Sequence, residues 1–395
     1  MTSSIELETQ DDSPPSATRR ALILKDSLTF LTLTLITIAL FTITLLLFRS
    51  FAAHRTELGK RWSDRGRVAL AAGKPEQAIS ALRTALSYTP GERDYELLLA
   101  QALADAGHPE EAFNYFTGLW DTQPGSGFIN LHLARLAAAR KDSAQAVNFY
   151  RAAIYGTWEG DGAVRRRMVR LELARYLLQR GDTAAARVEL LVSEGNAGDD
   201  PAVDVELGRL FEQSHDSADA LDAYQKAIAA SPDDAEALAA AGRLSYSMGE
   251  FAAAHGLLQQ ALHADAAHNA PKPPDLAALL KQSERIQELL PYHRLPSQQR
   301  VTRLLELKDL AKKRLETCAA LPTGTPAPMQ EIASRWIANA KDMSRAALLR
   351  DQSRQDELLQ LVYETESGAN HACGAATGDD ALLVLLSHYP KAVDK

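Results

Sequence analysis

The chain has 395 residues, 46% of them hydrophobic and 24% charged, enough apolar material to bury a sizeable core. Its formal net charge of −8 excludes a general nucleic-acid binder, which needs a basic surface to neutralise phosphates. Alanine is abundant, aromatic residues make up 6%, and no stretch shows convincing strand alternation followed by a turn, so the expected fold is all-α.

Residues 1–17 are acidic and carry Ser and Pro, a composition that predicts a disordered start, taken here to extend through 1–27. Leu28 to Phe48 then runs for 21 residues without a charge. At ~1.5 Å per residue a helix of this length crosses a bilayer core of about 30 Å, so 28–48 is read as a transmembrane helix. Thr29, Thr32, Thr34, Thr37, Thr42 and Thr44 lie inside it. Each hydroxyl can bond a carbonyl one turn back; the sharper alternative is a Thr-lined face for a homo-oligomer. A cleaved signal peptide is the competing reading. The run is long for that, and Arg49 precedes the weak small-residue site Ser50-Phe51-Ala52. Thr18-Arg19-Arg20-Ala21-Leu22-Ile23 loosely resembles a twin-arginine export signal, with aliphatic residues where that motif prefers Phe.

Orientation is nearly balanced, with Arg19, Arg20 and Lys25 before the span and Arg49, Arg55, Lys60 and Arg61 after it. The chain's two cysteines, Cys318 and Cys373, are compatible with an oxidising compartment and a disulfide, against the alternative of two free thiols. The expectation is an inner (cytoplasmic) membrane protein of bacterial type, with a short juxtamembrane stretch at 49–58 and the rest in the periplasm.

From Gly59 to His268 the sequence repeats every 34 residues, in blocks 59–92, 93–126, 127–160, 167–200, 201–234 and 235–268. One column reads Ala78, Ala112, Ala146, Ala186, Ala220 and Ala254. A second is small throughout, with Gly66, Ala100, Ala134, Ala174, Gly208 and Gly242, and a third is large: Leu82, Phe116, Tyr150, Leu190, Tyr224 and Leu258. Small residues let two helix backbones approach while large ones fill the space beside them. Turns such as Gly107-His108-Pro109 supply a helix-ending glycine and a proline suited to the next helix's first turn. A fixed period of this length means stacked supersecondary units, each too small to bury its own apolar face.

These columns resemble the tetratricopeptide repeat, carried in the first block by Trp62, Gly66, Gly73, Ala78, Leu82, Ala85 and Pro90 and in the fifth by Leu207, Gly208, Phe211, Ala220, Tyr224, Ala227 and Pro232. Departures are Leu119 and Ser193 for a small alanine, Trp158 for the helix-ending proline, and an insertion at 161–166 that either bends the stack or lengthens a loop. The resemblance implies an α-solenoid of six helix hairpins whose first helices line a concave groove. The position it places in that groove reads Arg67, Gln101, Arg135, Arg175, Arg209 and Arg243. One turn earlier stand Ser63, Leu97, Leu131, Leu171, Val205 and Ala239, mostly apolar. Guanidinium forks beside aliphatic stripes would suit a protein or peptide partner with acidic and apolar residues. The alternative is that the arginines pair with acids of neighbouring repeats, such as Asp105, Glu206, Glu212 or Glu236. The Lys and Asn pairing by which chaperone-binding members hold a terminal carboxylate is missing.

A proline-rich linker at 269–274 ends the repeats. Residues 270–395 resemble no family. Asp275 is placed to cap a helix from Leu276 to Leu290, Ser297 a second to about Leu321, and Met329 to about Glu366 reads as a long or interrupted third, with a final apolar segment from Ala381 to Leu386. A C-terminal helical module packed on the stack is expected.

Catalytic motifs are missing: there is no Walker loop, G-x-S-x-G, H-E-x-x-H or C-x-x-C. His263 and His268 do not share a helical face, and His371 and Cys373 lack identifiable co-ligands, so no metal or cofactor is expected. The acid pairs Asp199-Asp200, Asp233-Asp234 and Asp379-Asp380 fall at expected helix starts, where capping accounts for them. The sequence therefore reads as a membrane-anchored scaffold in an envelope process. The competing class is a hydrolase or lyase with an unrecognised C-terminal site.

Overall fold

A computed structural model describes residues 16–195, 200–267, 274–322 and 324–394. The expected tail before residue 16, Asp199, His268 and most of the proline-rich linker lie outside them. Among the described residues the chain is helical, with one isolated bridge between Ser126 and Thr157 and no strand. It forms two compact units, Met1–Gly162 and Ala163–Lys395.

The first unit begins with α1, Ser16–Ala71, one helix of 56 residues. One expectation is corrected here: residues 16–27 are helical, and the juxtamembrane stretch 49–58 continues the same helix. The physical reason is local: no glycine or proline occurs from Ser16 to Leu58, so nothing interrupts the hydrogen-bond ladder. All six threonine hydroxyls donate to carbonyls three or four residues back, as with Thr34 to Phe30 (2.8 Å) and Thr44 to Leu40 (2.7 Å). The helix is long and apolar enough to cross a membrane, and its apolar side chains from Leu22 to Phe51 are exposed.

The end of α1 is also the first helix of the first hairpin. It packs against α2 (Pro75–Tyr88), followed by α3 (Arg93–Asp105) with α4 (Pro109–Thr122) and α5 (Gly127–Ala139) with α6 (Ser143–Tyr155). The small and large columns meet as their chemistry requires. A Cβ on Gly66 would stand 2.6 Å from Leu82 Cγ, so the helices touch where the side chain is missing. Trp158, the departure from proline, donates its indole N–H to Ala153 O (2.9 Å) and lies where a Cβ on Gly127 would be 2.3 Å away.

The second unit holds three more hairpins: α7 (Gly162–Gln179, whose first residue ends the first unit) with α8 (Thr183–Glu194), α9 (Pro201–Gln213) with α10 (Ser217–Ala230), and α11 (Ala235–Ser247) with α12 (Phe251–Ala267). The 161–166 insertion is taken up mainly by helix, since α7 has 18 residues where α9 and α11 have 13. The turn after each first helix needs a left-handed residue. Gly73, Gly107, Gly181 and Gly249 supply it in four repeats, while Lys141 (φ 60°) and His215 (φ 62°) occupy the same column in the others.

Behind the last hairpin α13 (Pro274–Leu289) packs on α12 and α11. Asp275 lies within its first turn rather than before it, and Ser297 is likewise the first residue of α14 (Ser297–Ala319), not its cap. The expected third segment is interrupted, as α15 (Ala327–Ala338), α16 (Arg345–Arg350) and α17 (Gln352–Ala372). Then come α18 (Asp379–Ser387) and a 3-10 turn, Pro390–Asp394. Helix α17 is central, contacting α14, α15, α16 and α18. One core runs from Phe251 through Ile286, Val301 and Leu358 to Leu386, so this region packs on the sixth hairpin. Tyr389 reaches Ser247 O (2.7 Å) and Arg285 holds Asp379 (2.7 Å) across the same seam.

Candidate functional site

The arginine column is built by helix register: a residue one position beyond the buried small column must point away from the partner helix. Arg67, Arg135, Arg175, Arg209 and Arg243 are all exposed, and Gln101 is half-buried. In the second unit each arginine reaches an acid on the next first helix. Arg175 pairs with Glu206 (3.0 Å), Arg209 with Glu236, and Arg243 with Asp275 on α13 (2.8 Å). Glu206 also approaches Arg209 (3.8 Å), so acid and base alternate along this face. In the first unit Arg67 pairs within its own helix, with Asp64 at 3.0 Å.

The second-unit pairs are between 30% and 55% exposed, so each stabilises the fold by no more than about 1 kcal/mol. That weakness leaves the guanidinium groups open to exchange with another carboxylate. The Arg243 guanidinium holds the Asp275 carboxyl below its ordinary range. Arg209 and Arg243 flank a pocket of about 340 Å³ floored by Ala239, Ala240 and Leu276. Tyr224 closes its side, with its hydroxyl on Glu212 Oε2 (2.7 Å) and its ionisation pushed up by burial first and by that hydrogen bond second.

The aliphatic stripe one turn earlier divides. Leu97 and Leu131 are half-buried, but Leu171 and Val205 belong to the core of the second unit and line no groove. One turn from an exposed residue a side chain rotates by about 40°, enough on these helices to turn it into the neighbouring hairpin. Ala239, of the same stripe, does border the pocket, beside Ala240 and Tyr224, which the groove columns do not include.

The C-terminal region contains the larger opening, a cleft of about 970 Å³ lined by α17 with Ile332, His293 and the segment from Ser387 to Asp394. It gathers two histidines and three carboxylates, Asp356, Glu364 and Asp394. His293 is engaged at both nitrogens, Nε2 with Asp394 (3.0 Å) and Nδ1 with Gln352 (3.2 Å), leaving neither to activate a nucleophile. Among the described residues no three His, Cys, Asp or Glu side chains converge as a metal site. His371 Nδ1 lies 2.8 Å from Ser367 O. Asp200 and Asp234 cap helices α9 and α11, the latter accepting from Glu236 N and Ala237 N. The structure brings Cys318 and Cys373 together, with Cα atoms 5.4 Å apart, a separation a disulfide spans.

The family model for the tetratricopeptide repeat matches residues 63–126 and 205–275. The first, second, fifth and sixth hairpins match the tetratricopeptide repeat. Similar solved structures include pilF of Pseudomonas aeruginosa, 18% identical, covering 59% of this chain and 99% of that one with a TM-score of 0.41. PilW, described as a type IV pilus biogenesis factor, is 17% identical and covers 56% of this chain and 98% of its own (TM-score 0.41). The C-terminal part of a repeat protein from Cytophaga hutchinsonii is 11% identical, over 78% of this chain and 96% of that one (TM-score 0.44). No curated protein gave a match.

Proposed function

We propose that this protein is a membrane-anchored scaffold that docks acidic protein segments on the arginine column of its tetratricopeptide repeats, in a bacterial envelope process. The observation that carries the reading is the continuity of α1. A helix apolar on every side must be buried in something, and among the described residues nothing covers Leu22 to Phe51. Lipid satisfies it. Arg55 on the same helix already reaches Ser87 O of α2 (3.4 Å), only seven residues past Phe48. The first hairpin therefore starts about 10 Å beyond the apolar stretch, at headgroup height.

Tethering at that height raises the effective concentration of any membrane-associated partner, so exchangeable ion pairs suffice for useful occupancy. A partner carboxylate would replace Glu236 on Arg209 or Asp275 on Arg243, and its apolar neighbours would meet Ala240, a part-exposed apolar residue of the pocket. We place the repeats in the periplasm, where Cys318 and Cys373 would be bonded. Differential alkylation in whole cells, before and after reduction, reports on that.

The docking claim is tested by capture from solubilised membranes with the wild-type chain and the Arg135→Ala, Arg175→Ala, Arg209→Ala triple variant. Loss of a defined set of acidic partners at unchanged helix content is expected. An identical captured set would remove the arginine column from the account.

A further inference from the structure

The face of α17 that lines the large cleft consists of Asp356, Leu359, Gln360, Tyr363, Glu364, Ser367 and Gly368. These positions recur at three- and four-residue intervals, so they form one stripe of about 18 Å along three helical turns. Ile332 of α15, Pro390 and Val393 add apolar groups to the lining. Leu359 and Tyr363 contribute apolar edges between the polar Asp356, Gln360 and Glu364, and a stripe of this length exceeds a compact small molecule.

Its charge is one-sided. Three carboxylates line it and no lysine or arginine does. Asp356 bonds buried Arg300 through Oδ1 (2.8 Å), and Asp394 meets His293 through Oδ1 (3.0 Å), so each keeps Oδ2 without a partner among the described residues. Both side chains are more than half exposed. Glu364 stands eight residues along α17 from Asp356, about 12 Å away by helix rise, with Oε2 on Arg335 and Oε1 on Gln360 (2.9 Å).

We propose that this cleft is a second docking groove, for a cationic amphipathic peptide segment of another protein. The spacing sets its pattern: one lysine or arginine on the open oxygen of Asp356 and a second that displaces Arg335 from Glu364, a surface ion pair, about 12 Å away, which is seven or eight residues if the segment is helical, with aliphatic side chains between them. The polarity is opposite to that of the repeats, which offer arginine to acidic segments. One chain would thus hold two partners of different charge.

The test is selection of displayed peptides of about twelve residues on the full-length chain in lipid nanodiscs, with empty nanodiscs as counter-selection. Enrichment of basic sequences with the stated spacing is expected. A selected peptide should bind at least about tenfold more weakly to Glu364→Lys, which reverses the charge facing it, and to Gln360→Trp, which fills the groove from an exposed position. It should bind unchanged to the arginine triple variant, which separates this groove from the repeats. No enrichment, a neutral or acidic consensus, or unchanged affinity for Gln360→Trp with native helix content would overturn the proposal. So would peptides lost with the arginine triple variant.

Discussion

In the hairpins, the buried polar side chains among the described residues are Ser63, Asn130, Ser193, Asp204 and Ser245, mostly short ones. Asn130 and Ser193 bond carbonyls in their own segment, Pro124 O (2.8 Å) and Glu189 O (2.8 Å). The C-terminal helices bury Ser283 and, besides it, Arg300, Gln355, Thr365 and Glu366. A repeat interface must be remade in every block, and only small and aliphatic side chains do that without tailored partners. A region that packs once can enclose long polar groups, each needing its own arrangement.

Glu366 makes the sharpest contrast. Neither carboxylate oxygen has a hydrogen-bond partner, and burial, then the nearby Asp380, pushes its ionisation up to about 8 against the pull of Arg314. The folded form therefore keeps a proton that the unfolded chain releases above about 4.5. Stability of this region should be greatest below about 4.5, fall by up to about 1.4 kcal/mol per pH unit towards about 8, and level off above it. Hydrogen exchange of α17 amides across that window, against α9 as reference, measures it. Glu366→Gln should flatten the slope, and an equal slope in the variant would assign it to another group.

The cysteine pair gives the next largest effect. Closing a loop of 55 residues constrains the unfolded chain by about 4 kcal/mol. Reduction should therefore loosen α14 and α17 in exchange experiments while leaving the hairpins unchanged. Equal protection before and after reduction would show that the thiols are unbonded.

Within the hairpins, Gly208→Ala should cost about 1–3 kcal/mol, because the new Cβ would lie 2.5 Å from the Tyr224 ring. Thermal unfolding of the variant reads this directly, and a neutral result would mean that the ring has room to move. The smallest expected effect is a gain. His215→Gly relieves a left-handed residue and should stabilise by about 0.5–1 kcal/mol, visible as a raised melting temperature.

The same contrast explains what the sequence disclosed. Periodicity revealed the hairpins because every block reuses one packing solution, and the six alanines of one column are all buried. Even the turn residues were within reach: Lys141 and His215 share an alignment column with four glycines. Residues 16–27 were taken with the acidic, Ser- and Pro-bearing start as disordered, although they continue into the apolar run as one helix. A helix stops at a breaker, and none stands there. The C-terminal cleft was illegible for another reason. His293, Ile332, Asp356 and Asp394 are far apart in the chain and meet only through packing that no local pattern encodes.

The proposed anchor would make a docking solenoid into a membrane scaffold, and it can be tested on the unmodified chain. With the full-length protein in nanodiscs containing a photoactivatable lipid, mass spectrometry should find labels confined to the Leu22–Phe51 stretch and none from Glu57 to Ala71. Labels absent from that stretch, or recovery of the intact chain in solution without lipid or detergent, would contradict the account.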